Sequence, residues 1–138
     1  MSRPAVPAPL RLAIWQRARG CCEYCLIAEQ DGLLPHEMDH IIALQHGGST
    51  APDNLALACY ACNRRKGSNI ASLDPATGGM VSLFHSRHDV WAEHFRLEDA
   101  CIVPLTAKAR TTAELLQFNS HPRLRRRQLL LQSGRYPV

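Results

Sequence analysis

Cys22-Glu23-Tyr24-Cys25 and Cys59-Tyr60-Ala61-Cys62-Asn63-Arg64-Arg65-Lys66-Gly67 share one pattern: the same Cys-x-x-Cys pair occurs twice, with residues 26–58 between the copies. A Cys-x-x-Cys turn sets two sulfurs on one side of a tetrahedral site, and a second turn closes it. Cys22, Cys25, Cys59 and Cys62 therefore read as the ligands of a structural zinc ion. A redox pair would be a single Cys-x-x-Cys heading a helix in a βαβ setting, which this sequence lacks, and it stands as the weaker alternative. Cys21 adjoins a ligand, but only Cys22 keeps the two-residue spacing to Cys25. Cys101 stands alone and reads as a small buried hydrophobe. The interval between the pairs is longer than a short zinc ribbon needs, so further structure must fold inside it.

That interval, and the chain before it, carry recognisable elements. From Pro9 to Arg19, Leu10, Ala13, Ile14 and Ala18 recur on one helical face, and Gly20 is a natural stop. Leu33 to Leu44 is rich in branched apolar residues and reads as a strand. Gln45 to Asp53, with two glycines and a proline, turns the chain. Asn54 to Cys59 alternates Leu55 and Leu57 against Ala56 and Ala58, a second strand. A short helix follows from Cys62.

Between the pairs stand Met38-Asp39-His40-Ile41-Ile42, Gly47-Gly48 and Asp53-Asn54-Leu55, and Asn63 follows Cys62. Hydrolysis of a phosphodiester needs a base for water and a cation for the phosphoryl oxygens and the leaving alkoxide. The His40 imidazole suits the first task. The carboxylate of Asp39 and the amide oxygen of Asn63 are hard ligands for Mg²⁺ or Mn²⁺. Neighbouring strand residues point to opposite faces, so Asp39 and His40 serve one site only if the strand ends or distorts there.

The ordered set CEYC, DHII, GG, DNL and CYACNRRKG resembles the HNH endonucleases, in the form with two Cys-x-x-Cys zinc pairs, over roughly Arg11–Gly67. The resemblance implies a ββα-metal fold: a β-hairpin followed by a helix around one divalent ion. It makes His40 the general base, Asp39 the first metal ligand, and Asn54 the middle asparagine that fixes the loop and orients the base. The third motif position is Asn63, which makes this an HNN variant. Lys66 matches a commonly basic position and, with Arg64 and Arg65, is assigned to the nucleic-acid backbone. The segment SLFHSRHDVWAEHF (82–95) is similar to one that follows the module in small stand-alone bacterial members.

The expected fold class is α+β: one domain over 1–138, with an HNH core at 10–70 and an α+β extension at 71–138. In the extension, strands are expected at Met80–Phe84 and within Trp91–Leu105. Helices are expected in TTAELLQFN (111–119) and PRLRRRQLLLQ (122–132), the latter with Leu124, Gln128 and Leu131 on one face. No apolar run approaches the roughly 20 residues that cross a bilayer. The start, MSRPAVPAPL, reads as an arm without a signal peptide, which favours the cytoplasm. A net charge of +4, with 14 of 16 basic residues arginine, leans toward a nucleic-acid partner.

The resulting expectation is an endonuclease on double-stranded DNA, with structural Zn²⁺ and catalytic Mg²⁺ or Mn²⁺. A homodimer is left open, in which each site would act on one strand. The alternative is a non-catalytic zinc module that binds DNA or protein. His36 and His46 read as surface polar residues. His85, His88 and His94, set among Trp91 and Phe95, read as packing. For Arg123–Arg127 two readings stand equal, phosphate contact and the solvated face of a terminal helix.

Overall fold

The computed structural model describes residues 6–138. In chain order it contains α1 (Ala8–Arg17), β1 (Glu37–His40), β2 (Leu55–Ala58), α2 (Tyr60–Lys66), β3 (Ala71–Leu73) and β4 (Met80–Ser82). These are followed by α3 (Trp91–His94), β5 (Phe95–Glu98), β6 (Cys101–Pro104), α4 (Ala107–Leu116) and α5 (His121–Gln132). The strands pair consecutively into three antiparallel ribbons, β1–β2, β3–β4 and β5–β6. The mixture of helices and separate ribbons is the α+β class expected from the sequence.

Residues 1–5 of the proline-bearing start lie outside the described residues. Val6 is buried and α1 already begins at Ala8, so the second half of that stretch is docked rather than a free arm. Pro9 sits in the first turn of α1, where its missing N–H costs nothing. Ile14 is the buried residue of this helix; it packs with Leu10, Ala18 and Met38 against Leu55 and Leu57. Ala13, expected on that face, is exposed. Arg17 reinforces the docking, donating to the carbonyls of Pro52 (2.9 Å) and Leu55 (2.6 Å).

In the first ribbon Glu37 pairs with Ala58, Asp39 with Ala56 and His40 with Leu55. Cross-strand partners share a face, so Leu55 and Leu57 turn to α1 while Ala56 and Ala58 join the larger core. All four residues of β2 are buried. The expected strand over Leu33–Leu44 is much shorter. Leu33 and Leu34 are exposed, and Leu44–His46 forms a 3₁₀ turn. Pairing stops because Asn54 caps it: its carbonyl accepts Ile41 N–H, and its side chain takes both backbone groups of Ile42.

The extension closes over the module's second face. Phe84, Phe95, Ile102, Ala109, Leu116 and Phe118 share one buried cluster with the four paired cysteines, Tyr24 and Ile41. A hydroxyl–backbone bond seats α4 there, Phe84 N–H donating to Thr112 Oγ1 at 2.9 Å. Strand β3, paired with β4 from Ala71 opposite Ser82 to Leu73 opposite Met80, was not anticipated. Three residues are too few to show alternation.

The arginine run of α5 departs from both of its readings. Its buried residue is Arg127, which donates to the carbonyls of Ala100 (2.8 Å) and Phe118 (2.7 Å) and to Asn119 Oδ1 (2.9 Å). Gln128, expected on the packed face, is exposed. His36, expected at the surface, is 3% exposed and its Nε2 lies 2.9 Å from the Ile27 carbonyl. Cys101 is only partly buried. His85 stacks on His88, and His94 pairs with Thr106 Oγ1 and edges onto Phe84.

The β3–β4 turn is tied to α4 by Asp74, whose carboxylate accepts from Arg110 Nε (3.1 Å) and Nη2 (2.8 Å) and from Ala76 N–H (2.9 Å). Arg110 and then that N–H draw its pKa down to about 2. An unfolded Asp titrates at about 3.9, so this tie stabilises the fold fully above that value and is lost as pH falls toward 2. Asp74→Asn is expected to lower the melting temperature at pH 7, with the gap to wild type closing near pH 2. A gap that persisted at low pH would assign the loss to turn packing instead.

Candidate active site and metal cluster

The site is assembled from the end of β1, the loop that returns to β2, and helix α2. That loop is held by one side chain and one missing side chain. Asn54 Oδ1 accepts Ile42 N–H (2.9 Å), while its Nδ2 donates to the carbonyls of Ile42 (2.9 Å) and Ser49 (2.7 Å). Gly48 lies against this knot, and a Cβ there would fall 1.7 Å from the Ile42 oxygen and 2.9 Å from Asn54 Nδ2. Gly47 before it has φ +85°, which glycine adopts without strain. The loop so formed presents Thr50 to the end of β1, where His40 Nε2 lies 3.0 Å from Thr50 Oγ1. His40 is 6% exposed, an imidazole held in place rather than free on the surface.

β1 ends at His40, the residue after Asp39, and the His40 charge acts on the Asp39 carboxylate. The Asp39 carboxylate turns inward, 2% exposed, accepting from Tyr24 OH (2.6 Å) and Lys66 Nζ (3.3 Å). Burial raises its pKa, against the pull of the Lys66 charge and the hydrogen bonds from Tyr24 and Lys66. Lys66 is equally buried and also donates to the Ile41 carbonyl at 2.9 Å. The expectation that Lys66 meets nucleic acid is therefore corrected. Its charge is spent inside, where removing either partner of such a pair costs about 3–5 kcal/mol.

Asn63, one turn before Lys66 on α2, donates through Nδ2 to Glu37 Oε1 (2.8 Å), and Arg64 holds Glu37 Oε2 (2.9 Å). Glu37 was not singled out from the sequence, although period-two spacing puts it on the Asp39 face. Among the described residues no hydrogen bond or ion pair joins Asp39 to Asn63. Arg64 and Arg65 are both exposed, Arg64 also lying over the Tyr60 ring.

The donor chemistry of Asp39 and Asn63 nonetheless fits a hard divalent ion. A carboxylate has about four acceptor positions, and Tyr24 and Lys66 occupy two of them on Asp39. Glu37 engages Asn63 through its nitrogen, and an amide oxygen remains an acceptor when its nitrogen donates.

The cysteines form a second centre beside the first. The Sγ atoms of Cys22, Cys25, Cys59 and Cys62 all lie within 4.8 Å of one another, and all four residues are buried. Cys25 and Cys59 sulfurs are 3.7 Å apart, and a tetrahedral Zn–S distance of about 2.3 Å implies edges near 3.8 Å. Backbone N–H groups of Tyr24 and Cys25 point at Cys22 Sγ, and that of Cys62 at Cys59 Sγ, each at 3.4 Å. This is how a Cys-x-x-Cys turn stabilises thiolates. Cys21 is outside the cluster, its Sγ facing the Arg19 carbonyl. The four residues thus fit zinc, as the spacing predicts.

Gly48→Ala is expected to destabilise the chain more than Gly47→Ala. The second change meets open space and carries only the positive-φ cost, about 1–2 kcal/mol. The first has no positive-φ cost but must push the loop off the Ile42 carbonyl and Asn54. Denaturant melts of the two variants make the comparison, and equal losses would mean that the knot is not tight.

No curated protein and no solved structure matches the chain. Residues 22–69 match the family model for HNH endonucleases, a span running from the first zinc-type cysteine through the hairpin and α2. Over these residues, about a third of its length, the chain is similar to HNH endonucleases, and the same segment carries four buried cysteines that could hold zinc.

Proposed function

We propose that the protein is a metal-dependent endonuclease that hydrolyses phosphodiester bonds in double-stranded DNA, with His40 as its general base. The observation that carries this reading is the seating of His40. It closes β1 inside an HNH domain and is pinned to Thr50 by a loop that Asn54 and Gly48 hold rigid. A base must be fixed relative to the phosphorus it serves, because misplacement by about 1 Å can cost a hundredfold in rate.

In the proposed step the His40 imidazole accepts a proton from water. The water oxygen bonds to phosphorus as the bond from phosphorus to the 3′ oxygen breaks, and that oxygen departs and is protonated by solvent. Mg²⁺ or Mn²⁺, held by Asp39 and Asn63, supplies positive charge to the phosphoryl and leaving oxygens when bound. Glu37 holds the Asn63 amide by its nitrogen, leaving the oxygen for this role. Tyr24 and Lys66 hold the buried Asp39 in place and oppose the rise that burial imposes on its pKa. Exposed Arg64 and Arg65 hold the nucleic-acid backbone; Lys66 does not.

The same reading takes Cys22, Cys25, Cys59 and Cys62 as a structural zinc site. It also takes 1–138 as one domain, with the module at 10–70 and the extension at 71–138 packed on it. No helix of the described residues is long and apolar enough to cross a membrane.

Two measurements test this. Plasmid nicking is expected with Mg²⁺ or Mn²⁺, and His40→Ala is expected to lower it by about 10²–10⁴-fold. Equal cutting by the variant would remove His40 as the base, whereas DNA binding without any cutting by wild type would favour the non-catalytic zinc module. Removing zinc with a strong chelator is expected to abolish the cooperative melt, because four buried cysteines without their metal cannot hold β1, β2 and α2 together.

A further inference from the structure

Helix α5 reaches across from the extension and sets a guanidinium on the sulfur cluster. Arg123 Nη2 donates to Cys62 Sγ at 3.0 Å and lies 3.7 Å from Cys59 Sγ. Its Nη1 is occupied by the carbonyls of Leu116 (2.5 Å) and Gln117 (3.2 Å), and the group lies over the Phe118 ring. The side chain is therefore fixed, with one edge devoted to sulfur.

The donor is placed where the turns leave a gap. Backbone N–H groups serve Cys22 and Cys59, the first cysteine of each pair, and no backbone N–H among the described bonds serves Cys62. Four thiolates around Zn²⁺ carry a net charge of −2, which is costly in a buried setting unless paired and hydrogen-bonded. Arg123 supplies both a counter-charge and a donor. Tyr136 adds a second clasp from the same end of the chain, donating its hydroxyl to the Cys25 carbonyl at 2.8 Å.

We propose that Arg123 is the built-in counter-cation and hydrogen-bond donor of the zinc–thiolate cluster, so that the C-terminal helix sets how tightly the module keeps its metal and how reactive its sulfurs are. This rests on the zinc reading of the four cysteines and is independent of whether the chain cuts DNA. Removing a donor from a metal's supporting groups typically costs 10–100-fold in affinity. It also leaves the buried negative charge of the cluster without its counter-charge and a more electron-rich sulfur that electrophiles attack more readily.

The test uses the full zinc-loaded chain and three variants: Arg123→Met, Arg123→Lys and Arg126→Met. Arg126 lies on the same helix and donates to the Asp31 carbonyl, not to sulfur, at 2.6 Å. Zinc transfer to a colorimetric chelator is followed, with the sulfur-to-metal charge-transfer band of the Co²⁺-substituted chains as a second readout. Arg123→Met is expected to release zinc about tenfold faster or more, and its Co²⁺ band to move to lower energy. Arg126→Met is expected to match wild type in both readouts. Arg123→Lys, which keeps the charge and one donor, is expected to fall between, and it carries the comparison if the methionine variant does not fold.

Release by Arg123→Met within twofold of wild type, or an equal acceleration by Arg126→Met, would overturn the proposal and leave the zinc site standing. A wild-type chain that binds neither Zn²⁺ nor Co²⁺ would remove the zinc reading and the proposal with it.

Discussion

Four cysteine sulfurs held within 4.8 Å of one another are the constraint on which the remaining structure depends. They join the turn after α1 to the turn between β2 and α2, and so set the separation of chain segments 33 residues apart in sequence. A hairpin of four-residue strands and a seven-residue helix are each too short to persist alone. Fastened at the cysteines, they gain a shared buried face, and α2 comes to rest against the Glu37–Asp39 side of β1. The polar site is a consequence of that docking.

The polar groups around β1 obey one rule, that each buried charge has an opposite charge or a donor at hand. Asp39 meets Lys66 and Tyr24, and Glu37 meets Arg64 and Asn63. Arg127 spends three N–H groups on carbonyl or amide oxygens. At Asp39 the local charge is balanced by Lys66. An incoming cation would share that carboxylate with Lys66. Where β1 ends, His40 is tied to a loop whose shape depends on a glycine with no room for a methyl group.

The extension expected at 71–138 shares a buried cluster with the cysteine-bearing segment. Its aromatic residues form one cluster with the cysteines, and its last helix places arginines against the module. Arg123 faces sulfur, Arg126 the Asp31 carbonyl, and Arg135 pairs with the buried Asp31. A run that resembles a solvated basic face is in large part internal wiring, and Arg125 within it is exposed.

The sequence by itself determined the four-sulfur centre and the hairpin-then-helix order, because each is written in local spacing: two residues between cysteines, period two in a strand, glycines at a turn. Asn54 was legible as the loop's anchor through the resemblance to the HNH endonucleases, and its partners lie within twelve residues. The length of β1 was not, because exposed Leu33 and Leu34 carry the same apolar signal as a paired strand. Only the tertiary structure decided where Lys66, Glu37, His36 and Arg123 point. Their partners lie on other elements, Cys62 being 61 residues from Arg123. A charged side chain reads alike in sequence whether it ends in water, on DNA or on a buried thiolate, until packing chooses its partner.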